Sequence, residues 1–145
     1  MSRFLHSCLC LCFFSVLMFA AGAQGQGYDF AASSGTFTPL TGATALDAIE
    51  SDDALSSAIP IGFSFTYFGT AYTSLKVSSN GFIALDPAAS GSLNSNGWGS
   101  NPKLIAPLWD DLSGSVGTAS YRLTGTTGSR ILTIEWLNWK WKYDS

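Results

Sequence analysis

The chain has 145 residues, of which 46% are hydrophobic and only 12% charged, with a formal net charge of −3. So acidic and charge-poor a chain lacks the clustered lysine and arginine that displace counterions from a polyphosphate, which excludes a nucleic-acid partner. Its three cysteines and single histidine all sit near the N-terminus, at Cys8, Cys10, Cys12 and His6.

Residues 1–23 have the three-part layout of a secretory signal peptide. Arg3 supplies the positive start, Leu9–Ala21 the apolar run, and Ala21-Gly22-Ala23 the small-residue cleavage site before Gln24. The run falls short of the roughly 20 residues that span a bilayer. Cys8 precedes the apolar region instead of ending it, which argues against a lipid anchor. Cleavage would remove every cysteine and the histidine, and with them disulfides, thiolate nucleophiles, Ser-His-Asp triads and His-ligated metals. Export without disulfides fits a bacterial surface better than a small animal extracellular domain. Six of the seven basic residues remain against all ten acidic ones, a net charge of −4. About 122 residues are left, enough for one domain that buries roughly two thirds of its unfolded surface. No further transmembrane segment is expected, so the mature chain is released or held outside by a segment beyond this sequence.

Along the mature chain, Gln24–Gly27 reads as a flexible start, and Tyr28–Ala32 and Gly35–Leu40 as short strands around a Ser-Ser-Gly turn. Leu46–Ser57 carries Asp47, Glu50, Asp52 and Asp53 and is expected to form a loop or a single helical turn. Ile59–Leu85 is the most informative stretch. Ile61, Phe63, Phe65 and Tyr67 alternate with Gly62, Ser64 and Thr66, the period of a half-buried strand. Asn80-Gly81 should join Leu75–Ser78 to Phe82–Leu85 in a two-residue turn with both residues at positive φ.

Ala88–Asn101, rich in Gly, Ser and Asn, reads as a long surface loop around Trp98. Lys103–Trp109 is apolar on both faces and predicts a buried strand, with Pro107 imposing a bulge or an edge position. Gly117–Thr124 and Arg130–Trp141 are the last strands, turning at Gly125–Gly128. Within the latter, apolar positions run Leu132, Ile134, Trp136 and then switch to Leu137, Trp139, Trp141. Such a change of parity predicts a β-bulge near Trp136–Asn138. There is no long helical pattern and no internal repeat. The spacing predicts an all-β, antiparallel β-sandwich of jelly-roll-like type over residues 24–145. The apolar strand at Trp139–Tyr143 would be a hazardous free edge, which predicts a fragment, incomplete at the C-terminus.

Four segments, YDFAASSGTFTPLTG (Tyr28–Gly42), Ile59–Leu85, LIAPLWDDL (Leu104–Leu112) and SRILTIEWLNWKW (Ser129–Trp141), carry a family likeness. In this order they resemble a β-sandwich module of large secreted proteins of Bacteroidetes-type bacteria that leave by the type IX secretion system. Around APLWDDL the chain is more loosely similar to nidogen-type extracellular modules. The resemblance implies a cell-surface, adhesion-like role upstream of β-rich repeats and a C-terminal sorting domain. Neither the repeats nor the sorting domain is present in this sequence, and no catalytic residue is implied.

The residues themselves offer few sites. Asp110 and Asp111 follow a buried strand and are the best candidates for Ca²⁺, which takes six to eight oxygens. Adjacent strand residues point opposite ways, however, and a turn in which Asp accepts backbone N–H groups accounts for the pair equally simply. Asp52-Asp53 invites the same two readings. Trp98 in its polar loop, or Trp139 and Trp141 on one strand face, would suit stacking on sugar rings, against core packing for the latter two. Glu135 is the only glutamate in the later strands and lacks a visible partner carboxylate for glycosidase chemistry. Lys140 and Lys142 between the tryptophans are too few for a nucleic-acid strip. The sequence therefore predicts a non-catalytic, secreted or surface-held module for adhesion or structural presentation, with an extracellular protein or a glycan surface as partner. The alternative is a carbohydrate-binding module attached to a downstream hydrolase.

Overall fold

The computed structural model describes residues 31–85, 88–89 and 103–143. The predicted signal peptide, Tyr28–Phe30, Trp98 and most of the loop around it lie outside the described residues. The elements run β1 (Thr44–Ala45), a 3-10 turn (Asp47–Ile49), β2 (Ile59–Tyr67), β3 (Thr70–Val77), β4 (Ile83–Ala84) and β5 (Leu104–Ile105). They continue with β6 (Leu112–Ser113), β7 (Thr118–Thr124), β8 (Ile131–Leu137) and β9 (Lys140–Trp141). Every pairing is antiparallel, and the strands form sheets β1-β7-β8, β2-β3-β4-β5 and β6-β9. The arrangement is sandwich-like and all-β, as the alternation predicts.

The first two sheets face each other across the main core. Ile59, Ile61, Leu75 and Val77 from one sheet pack with Ala119 of the other and with Ile49 of the 3-10 turn. Phe63, Phe65, Leu132, Ile134 and Trp136 border this core half-buried. A second cluster, Phe82, Ala84 and Leu104, lies on the opposite side of β4 and β5 under Trp109 and Leu55. Both faces of that sheet end are thus covered, which is why Leu104–Ile105 and its neighbours are apolar throughout.

Strand β2 keeps its period of two but not a regular register. Ile59 pairs with Leu75, whereas Phe65 pairs with Tyr72, so three extra residues bulge out around Gly62. The parity of β3 changes across the bulge, which lets Tyr72 and Leu75 face the same way. The two-residue turn with both φ values positive occurs at Phe68 and Gly69 (φ 45° and 75°), between the paired Tyr67 and Thr70.

Several expectations are corrected. Asn80 is not at positive φ; only Gly81 is, at 71°. Ser78 N–H donates to Phe82 O (2.9 Å) around a three-residue loop, Ser79–Gly81, of the type I plus bulge kind. Gly35–Leu40 is irregular backbone, not a strand; it crosses the outer face of β7–β8, where Leu40 N–H donates to the Glu135 carboxylate (3.0 Å) and Arg122 to Thr41 O. Lys103–Trp109 contributes only the two-residue β5 before turning at Pro107. The parity change after Trp136 is no bulge within one sheet: Asn138 adopts φ 58°, β8 ends at Leu137, and β9 moves to pair with β6.

Candidate functional site

The polar interior of the molecule is concentrated in one loop. Ser78, Ser79 and Asn80 are fully buried, although a turn of such residues reads as surface. Their burial is affordable because every group is matched. Asn80 Oδ1 accepts from Leu112 N–H (3.0 Å) and its amide donates to Asp53 Oδ1 (2.9 Å). Ala54 and Ser79 are doubly joined, through Ala54 N–H to Ser79 Oγ and Ser79 N–H to Ala54 O, both 2.9 Å. Two indoles close over the loop: Trp136 Nε1 donates to Ser78 O (2.9 Å) and Trp139 Nε1 to Ser79 O (2.7 Å). Ser56 completes the set by accepting Val77 N–H on its hydroxyl. No buried side-chain nitrogen or oxygen among the described residues lacks a partner.

Beside this loop lies a group of carboxylates. Asp52, Asp53 and Asp111 each offer an oxygen within 4.8 Å of the others. They come from distant parts of the chain, brought together by the Asp52–Ser113 bridge and by the β6–β9 pair. Asp53 is already bonded by Asn80. Lys142 reaches Asp52 Oδ2 at 2.5 Å, and its main-chain N–H donates to Asp111 O (2.9 Å). An ammonium thus occupies the position a cation would take against Asp52. Ca²⁺ takes six to eight oxygens, drawn from carboxylates, loop carbonyls and water together.

The hydrogen bond to Asp52, joined by the charges of Asp52, Asp111 and Tyr143 and opposed by desolvation, raises the Lys142 pKa above its ordinary 10.5. A raised folded-state pKa gives a contribution complete below the ordinary value and lost as pH climbs through the raised one. The gap in urea midpoint between the protein and Lys142→Met should accordingly stay constant from neutral pH to about 10 and shrink only in stronger alkali, as a urea titration series would read. Exposure and salt keep that gap small.

The predicted site residues separate. Asp110 Oδ1 accepts Asp111 N–H (2.8 Å), the backbone-capping role, while Asp111 joins Asp52 and Asp53. Trp139 points inward and packs against the core, and Trp141 is 44% exposed on β9. Glu135 shares the outer face with Thr133 and holds Leu40 N–H. Nothing local in the sequence singles out the loop Ser78–Gly81; its partners Leu112, Trp136 and Trp139 lie in the LIAPLWDDL and Trp-rich segments.

These features define an all-β, sandwich-like module, and among the described residues no helix is long and apolar enough to cross a membrane. The NIDO-related family model matches residues 27–145, and the chain belongs to that family. Comparison with curated proteins and with solved structures gives no match.

Proposed function

We propose that the chain is the N-terminal module of a larger exported cell-surface protein, where it acts in adhesion or structural presentation. Residues 1–23 serve as its cleaved signal peptide, and the four motif segments favour the type IX route. Carrying this reading is the use made of the polar interior: Ser56, Ser78, Ser79 and Asn80 each hold loop backbone or a neighbouring side chain. Groups so committed support recognition by a rigid scaffold over turnover of a substrate.

Mass spectrometry of protein taken from the producing cells should give a mature N-terminus at Gln24, and a membrane-impermeant biotin reagent should label it on intact cells. Retention of Met1, or labelling only after lysis, would refute export. Deleting residues 24–143 from the parent protein should lower attachment of cells to their substratum. In the alternative reading, a carbohydrate-binding module, polysaccharide pull-down succeeds and is lost on Trp98→Ala. Trp136 and Trp139 give that reading little support, since both indole N–H groups turn inward.

A further inference from the structure

Strand β8 is the outer strand of its sheet, and no described strand pairs with its far side. One hydrogen bond fixes which main-chain groups face outward. Leu46 N–H donates to Ala119 O (2.8 Å) on the β1 side of β7. In an antiparallel strand, the N–H and C=O of one residue point together, and the direction alternates along the chain. Ala119, Tyr121 and Leu123 therefore face β1, while Thr118, Ser120, Arg122 and Thr124 face β8. The register pairs these four with Leu137, Glu135, Thr133 and Ile131. Leu132, Ile134 and Trp136 are left with their N–H and C=O groups directed away from the sheet.

That row lies along a trough. A hollow of about 340 Å³ follows Thr133–Trp136 and is lined also by Phe37, Thr38, Leu40 and Pro107. Past Trp136 a second hollow of about 340 Å³ continues between Leu108 and Trp139. At Ile134 an apolar hollow of about 190 Å³ opens between the sheets toward Phe63 and Ile105.

We infer that this trough takes an extended segment of a partner protein, added as a strand to the free edge of β8. Two observations choose the occupant. A row of outward N–H and C=O groups at strand spacing is met by another backbone, the mode of β-strand addition. Phe37–Leu40 lies by Glu135 of the outer face, whose carboxylate Leu40 N–H meets, whereas Pro107 lies by the core-packed Trp136. The edge is thus flanked from both faces, and a lone strand fits between them. The edge of a second folded copy, flanked in the same way, does not. Charge narrows the choice further. Glu135, the one charged side chain lining the first hollow, is engaged by Leu40 N–H, so the trough favours a segment of alternating apolar and uncharged polar residues. The inference rests on the reading of the chain as a recognition module and names the kind of partner it recognises.

The test uses the mature chain and a fluorescein-labelled ten-residue peptide of alternating valine and threonine. Saturable anisotropy is expected, together with about tenfold slower amide exchange at Leu132, Ile134 and Trp136 and unchanged exchange at Thr133 and Glu135. Ile134→Pro deletes one outward donor and spares the β7–β8 ladder, the placement in which sheets tolerate proline; it should abolish binding. Phe37→Asp, at a side chain 65% exposed, should weaken binding without unfolding the protein and serves the same purpose if the proline variant fails to fold. Undiminished binding by the folded variants, no slowing of those three amides at saturation, or capture of a polysaccharide in the trough without amide protection would overturn the inference. The surface-labelling result does not depend on it, so failure here leaves export standing.

Discussion

Gly81→Ala is expected to destabilise the domain by about 4 kcal/mol, the sum of a left-handed backbone penalty and a main-chain clash. At φ 71° an L residue with a β-carbon is strained regardless of space. Space is also lacking, because a Cβ there would lie 1.9 Å from the Leu108 carbonyl oxygen. That oxygen belongs to backbone just past Pro107, and Leu108 N–H donates to Gly81 O (3.4 Å), so relief on one side breaks the contact on the other. Urea denaturation monitored by tryptophan fluorescence reads the loss. A midpoint within error of the parent protein would show that the two segments do not meet.

Asn80→Ala is expected to follow at about 3 kcal/mol, or roughly 10 °C in melting temperature. Alanine leaves the buried Leu112 N–H without an acceptor and Asp53 without its donor, and it opens a small void. The two effects should not add in the double variant, since both substitutions act on the same loop and its hold on Leu108–Leu112. Differential scanning calorimetry of the single and double variants checks both statements.

Much of the sheet was legible because one face of each strand is buried. Ile61, Phe63, Phe65 and Tyr67 read as a strand for that reason, and so did β7 and β8 around Gly125–Gly128. Register was not legible. The three extra residues of β2 leave no mark on its alternation, because the compensating parity change falls on β3. Asn80-Gly81 carried the right turn signal for the wrong turn, since Asn80 is held by a partner thirty-two positions away. Asp110 and Asp111 looked like a pair by adjacency, yet the carboxylates that meet are Asp52, Asp53 and Asp111, a grouping that only the β6–β9 and Asp52–Ser113 pairings create. No local period encodes such a meeting.

The order in which the buried loop acquires its partners bears on how this chain is made. Ser78 and Ser79 are synthesised well before the tryptophans that cap them, which lie 58 and 60 positions later, and Leu40 waits 95 positions for Glu135. Contacts this remote in sequence slow folding, because the loop entropy must be lost before any of them forms. A nascent chain lacking β8 therefore leaves Ser78 O and Ser79 O without their indole donors and the main core without Leu132, Ile134 and Trp136. Completion of the fold is expected to wait for nearly the whole polypeptide, which would keep the chain threadable for the export proposed above.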